Sequence, residues 1–153
     1  MQAWRITQRA RALDRQGTGA RLTGGRWNPP GRAAAYAGLT PEIAALEKLV
    51  HTSELLPRDL VLVRLELPDD AHLYRRHAVN DLPAGWDVLP GSTAAAAFGD
   101  EFLRGGMHLG LVVPSVVMPE ACNVVLNPVH AAFGAVTFRI VRPFGFDPRL
   151  RPG

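Results

Sequence analysis

Arg26 sits in a turn too rich in glycine and proline to be casual, Gly24-Gly25-Arg26-Trp27-Asn28-Pro29-Pro30-Gly31. Glycines permit tight backbone turns and close ligand approach. A guanidinium fixed there can fork hydrogen bonds to a phosphate. Trp27 could pack beneath it or stack on a ligand ring. The same residues also suit a rigid turn with a surface arginine and a core tryptophan. Glu47 lies in an apolar helical stretch, four residues after Ile43 and three before Val50, so it borders the buried face. A carboxylate at that border is partly desolvated or held by a partner. Arg26 is one candidate partner and His51, at i, i+4, is the other. Ser115 follows Val112-Val113-Pro114, where an apolar strand ends and ligand groups commonly meet a sheet. No Gly-x-Ser-x-Gly elbow surrounds it, which argues against a hydrolase nucleophile. A polar ligand contact and an ordinary turn serine both fit.

Other chemistries find little support. His51, His72, His77, His108 and His130 are dispersed, and no HExxH or CxxC occurs, so no metal site is expected. There is no Walker loop or GxGxxG. Cys122 is the single cysteine, so no internal disulfide can form, and it is expected in the core of a protein from a reducing compartment. Sixteen of the seventeen basic residues are arginine, which suits anionic ligands. A GC-rich genome would give the same bias, together with the richness in Ala, Gly and Pro. A net charge of +3 without a basic stripe is too little to argue for nucleic acid. No apolar run follows the start, so neither a signal peptide nor a membrane span is expected.

These residues need elements to position them. At 153 residues the chain has the length of one domain. Trp4-Arg5-Ile6 suggests a strand, residues 14 to 32 an extended loop, and 33 to 37 a short strand bearing Tyr36. A helix should run from Pro41 to about Thr52, with Thr40 as N-cap, Pro41 at its first position, and Ile43, Leu46 and Val50 facing the core. Leu60 to Leu67 alternates as a half-buried strand. Residues 69 to 92 look irregular. A second helix is expected from Thr93 to Arg104, stopped by Gly105-Gly106. Further strands are expected over 109 to 113, 122 to 126 and around Val136, Phe138 and Ile140. Strands with two helices, not strictly alternating, indicate an α+β domain.

Together these segments resemble the RES-domain family, named for an arginine, a glutamate and a serine. The resemblance runs from Trp4-Arg5-Ile6 through Gly24-Gly25-Arg26-Trp27-Asn28, Tyr36, the Ala44-to-Glu47 segment and Leu82-Pro83-Ala84-Gly85-Trp86. It continues through Val113-Pro114-Ser115 and Asn123 to His130, and ends at Phe144 to Leu150. It departs at Glu101, where family members often carry a tryptophan. The resemblance implies a compact single domain, 1 to 153, similar to the ADP-ribosyltransferase fold. It implies a cytoplasmic toxin of a toxin–antitoxin pair, with NAD as its substrate and no metal. Arg5 and Arg26 match the family's site arginines, Tyr36 its tyrosine, Glu47 its glutamate and Ser115 its serine. By this reading Glu47, Arg26 and Ser115 are catalytic, while Arg5, Arg26, Trp27, Tyr36 and Ser115 bind NAD. The partner implied is an Xre-type helix-turn-helix antitoxin covering the NAD cleft, with a homodimer conceivable inside a larger complex. The expected reaction is hydrolysis or phosphorolysis of NAD. Transfer of ADP-ribose to a protein is the alternative, as are an inactive partner-binding module and an RNase-type toxin.

Overall fold

The computed structural model describes residues 1–52 and 56–150. The strands are β1 (Gln2–Gln8), β2 (Ala35–Gly38), β3 (Leu60–Glu66), β4 (Tyr74–Arg76), β5 (Gly110–Pro114), β6 (Cys122–Leu126) and β7 (Thr137–Phe144). They form one seven-stranded sheet in the order β4-β5-β6-β2-β1-β3-β7. The β4–β5 pair is parallel and the others are antiparallel. Long-range pairings dominate. Short antiparallel segments brought together from across the chain make the α+β architecture that the alternating patterns predict.

Three helices flank the sheet: α1 (Thr18–Thr23), α2 (Pro41–Val50) and α3 (Thr93–Gly105). The α2 start is as expected. Thr40 accepts a hydrogen bond from the Ile43 amide and Pro41 occupies the first turn, where its missing N–H costs nothing. Ser92 caps α3 by accepting from the Ala95 amide, and Gly106 ends it in the left-handed conformation. Between them the two faces of the sheet carry the core. Val61, Val63, Leu65, Val124 and Leu126 pack on one side, and Trp27, Trp86, Leu111, Val113 and Val125 on the other.

Five expectations need correction. The stretch 14 to 32 is not all loop: Gly17, at φ 62°, admits the short helix α1. The stretch 69 to 92 contains β4, which has only three residues and too short a pattern to show alternation. Within α2, Ile43 and Ala44 are buried, whereas Val50 is half exposed at the helix end. Leu60 and Leu62 are buried as well as Val61 and Val63, because that face of β3 packs with Ile6, Trp4 and Phe144 of the neighbouring strands and with Ala45 of α2. Cys122 is only partly buried at the start of β6. No helix among the described residues is long and apolar enough to cross a membrane.

Candidate active site

Glu47 is the residue the fold treats most specifically. Its Oε1 accepts from the Ser115 hydroxyl at 2.7 Å and from the Asn123 amide Nδ2 at 2.7 Å. Its Oε2 lies 3.8 Å from His51 Nδ1, too far for a good hydrogen bond. The His51 ring nitrogen instead meets the Glu47 carbonyl at 2.7 Å. The carboxylate therefore has one oxygen pinned and one available, and its side chain is 24% exposed. Of the two candidate partners, His51 lies near the carboxylate and Arg26 bonds elsewhere.

Three elements build this arrangement. Ser115 follows β5 and Asn123 belongs to β6, its antiparallel neighbour, with Val113 and Asn123 directly paired. Asn123 also pairs with Gly38 of β2, so its backbone is locked on both sides. Gly38 then has a second task. A Cβ there would lie 2.6 Å from Ile43 Cγ2 and 2.9 Å from the Ala44 amide nitrogen. Its absence lets α2 settle onto the sheet beside Asn123 and brings Glu47 within reach.

Ser115 is fully buried, and its hydroxyl is fully used. It donates to Glu47 and accepts from the amides of Val117 and Met118 at 3.1 and 3.2 Å. With one proton and two lone pairs engaged, it has nothing left for a ligand. This geometry gives Ser115 the task of holding Glu47 and leaves its hydroxyl no free group for a ligand.

The glycine-proline turn forms a second polar cluster. Asn28, 1% exposed, is its hub: Nδ2 donates to the carbonyls of Ala20 and Arg32 at 2.8 and 2.9 Å, and Oδ1 accepts from the Tyr36 hydroxyl at 2.6 Å. The Tyr36 oxygen in turn accepts from the Trp27 amide at 3.0 Å. Burial raises the Tyr36 phenol well above its ordinary pKa, against smaller opposing effects of that amide bond and of Arg26, so it remains a donor. Trp27 is 3% exposed, stacked on Trp86 at 6.1 Å and edge-on to Phe98 at 6.0 Å. Gly99 of α3 sits so close that a Cβ would fall 1.7 Å from the Trp27 carbonyl oxygen. Both sides of Trp27 are thus taken, and its expected stacking on a ligand ring is corrected to core packing.

The arginines stand apart from Glu47. Arg26 donates from Nη1 to the carbonyls of Trp86 and Val88 at 2.9 and 3.0 Å, and from Nη2 to that of Pro90 at 3.3 Å. It clasps the 86–90 segment. Arg5 lies 5.2 Å over the Phe138 ring and donates to the carbonyls of Arg11 and Ala12 at 3.1 and 2.8 Å. Its neighbours Trp4 and Ile6 pack with Ala45 of α2 on the other side of the strand. Burial lowers the Arg5 pKa, partly opposed by Asp14, and its buried Nε has no acceptor among the described residues. An open surface depression of about 550 Å³ beside α1, bounded by Arg9, Arg11, Leu13, Asp14 and Leu22, touches none of the expected site residues. Among the described residues no group of His, Cys, Asp and Glu is placed to hold a metal ion.

A family model described as the RES domain matches residues 2–147. The chain belongs to the RES-domain family. A Sphingobium protein named "Prs ADP-ribosylating toxin" is 39% identical over 152 residues, covering 96% of this chain and 94% of the relative. A Pseudomonas putida protein named "Toxin Res" is 38% identical, covering 96% and 97%. Another "Toxin Res", from Photorhabdus laumondii, is 37% identical, covering 88% and 86%. The fold is similar to that in a crystal structure of the M. tuberculosis MbcT-MbcA toxin-antitoxin complex, with a TM-score of 0.70 at 22% identity over 98% of this chain and 86% of that one.

Sequence reading missed Asn123 as a site residue. It stands in the segment Asn123 to His130 that carries the family resemblance, but only the β5–β6 pairing reveals that it faces Glu47. The other asparagine of that segment, Asn127, is buried and donates to the Leu103 carbonyl at 3.0 Å, a packing role.

Proposed function

We propose that this RES domain is the toxin of a toxin–antitoxin pair and consumes NAD by cleaving its nicotinamide–ribose bond. The observation that carries the reading is the Glu47 carboxylate, pinned at Oε1 and open at Oε2. Breaking that bond sends its electron pair out with nicotinamide, which leaves as a neutral base and needs no acid. Positive, oxocarbenium-like charge builds on the ribose, as in glycoside cleavage. A preoriented carboxylate stabilises that charge. Oε2 of Glu47 takes this role and can also accept from a ribose hydroxyl. The acceptor then attacks the ribose carbon and loses its proton.

The remaining assignments follow the same reading. Arg26 and Arg5 hold the pyrophosphate. For Arg26 this exchanges neutral carbonyl acceptors for a charged one, which forms the stronger bond. For Arg5 it supplies an acceptor to the unpartnered Nε–H. Tyr36, whose hydroxyl is already engaged, offers its ring and not its oxygen. β1 and β2 share the single register pair Trp4↔Gly38, so the sheet parts between Arg5 and Tyr36, and the substrate enters there. The partner is an Xre-type antitoxin that covers this opening, and the site of action is the cytoplasm. The acceptor is water or phosphate. A protein side chain is the second reading, favoured by the name of the Sphingobium relative.

NAD is followed over time with purified protein, with and without inorganic phosphate and with a cell extract. Loss in buffer alone means hydrolysis; loss that requires phosphate means phosphorolysis. ADP-ribose attached to an extract protein means transfer. Glu47→Ala should abolish all three and stay folded. An active, folded Glu47→Ala protein, or no consumption under any condition, overturns the reading.

A further inference from the structure

We infer that Asn123 is a positioning residue for Glu47, holding its carboxylate in the Oε2-outward orientation that the proposed reaction needs. The inference rests on that proposed function for its kinetic part only. Three observations carry it. First, both short hydrogen bonds to Glu47 converge on the same oxygen, Oε1, so the second oxygen is left as the reacting one. Second, Asn123 presents its amide nitrogen. The reversed amide would set two oxygens 2.7 Å apart, so the donor orientation is dictated by the carboxylate itself. Third, Asn123 cannot drift. β6 lies between β5 and β2 in the sheet, with Asn123 paired to Val113 and to Gly38.

The two donors are not equivalent. Ser115 Oγ–H is polarised by the two amides that donate to its oxygen, forming a chain from Val117 and Met118 through Ser115 to Glu47. Ser115 is a hydroxyl on a turn, and a hydroxyl can rotate. Asn123 supplies a donor of fixed direction from a central strand. Around Glu47 the one ionisable neighbour within ion-pair distance among the described residues is His51, at 3.8 Å, on the same helix.

The test uses Asn123→Ala and the same-shaped Asn123→Asp in the full chain. For Asn123→Ala we expect kcat for NAD consumption to fall about tenfold or more with KM changed little. Asn123→Asp should be worse near neutral pH and partly recover in acid, where the protonated side chain again donates. Independently of any turnover, a crystal structure of Asn123→Ala should show the Glu47 carboxylate turned from the position it holds in the wild type. A lower thermal midpoint with kcat unchanged and the Glu47 carboxylate unmoved would reduce Asn123 to a packing residue and overturn the inference. Should the wild type consume no NAD, the proposed function fails alone, and the position of the Glu47 carboxylate in the variant still decides the role of Asn123.

Discussion

The two polar clusters of this domain look alike in composition and differ in closure. Around Asn28 the side-chain amide and the phenol answer backbone groups or each other, and the ring of Trp27 is walled in by Trp86 and Phe98. Around Glu47, Ser115 is just as fully spent, yet one carboxylate oxygen is left over. A closed network contributes stability, because each buried group would cost more if left unmatched. An open one contributes chemistry. The motif that drew attention first, Gly24 to Gly31, is largely the closed one. The residue that looked like a helix-border carboxylate is the open one.

Substitutions can break that contrast. The largest effect on stability should come from Asn28→Ala, which strands two carbonyls and the Tyr36 hydroxyl. A loss of about 4 kcal/mol is expected, seen as a fall in Tm of about 10 °C. A fall under about 3 °C would mean the cluster is not the fastening it looks like. Gly38→Ala comes next. The added Cβ must push α2 off the sheet, costing about 2 kcal/mol in stability. It should cost NAD consumption more than that stability loss explains, because Glu47 is lifted from Asn123. Equal loss in both would deny that Gly38 serves the site. The smallest effect concerns His77, edge-on to Phe98 at 5.1 Å. Burial first, then Arg75, lowers its pKa, with Asp81 opposing. The unfolded chain therefore binds the proton more readily. His77 contributes its full stability above about pH 6.5 and loses it progressively as pH falls through that value and then through the lower folded one. The drop in Tm between pH 7.5 and 5 should be smaller in His77→Gln than in the wild type, and an identical drop would remove His77 from the acid response.

Local signals gave up their content readily. Thr40, Pro41 and Gly106 mark ends of α2 and α3 because capping is a matter of adjacent residues. β6 has the bounds expected, 122 to 126, since a short apolar run has few alternatives. The helix α1 stayed hidden because its six residues carry too few apolar positions for a period and begin after a left-handed glycine. For the site, residue types were legible and partnerships were not. Arg26 and Glu47 are opposite charges and invite pairing on paper. The fold instead gives Arg26 the carbonyls of the 86–90 segment and gives Glu47 an amide and a hydroxyl from a distant hairpin. Register between strands sets these neighbours, and register is not written in any one segment.

The separation of Glu47 from its two anchors has a consequence for timing. Ser115 and Asn123 lie 68 and 76 residues further along the chain. A ribosome making this protein produces the glutamate early, but the groups that aim it emerge only when four-fifths of the chain has been translated. On the proposed function, the growing polypeptide is inactive until β5 and β6 close beside α2. An antitoxin of the proposed kind would have the length of that synthesis in which to be waiting.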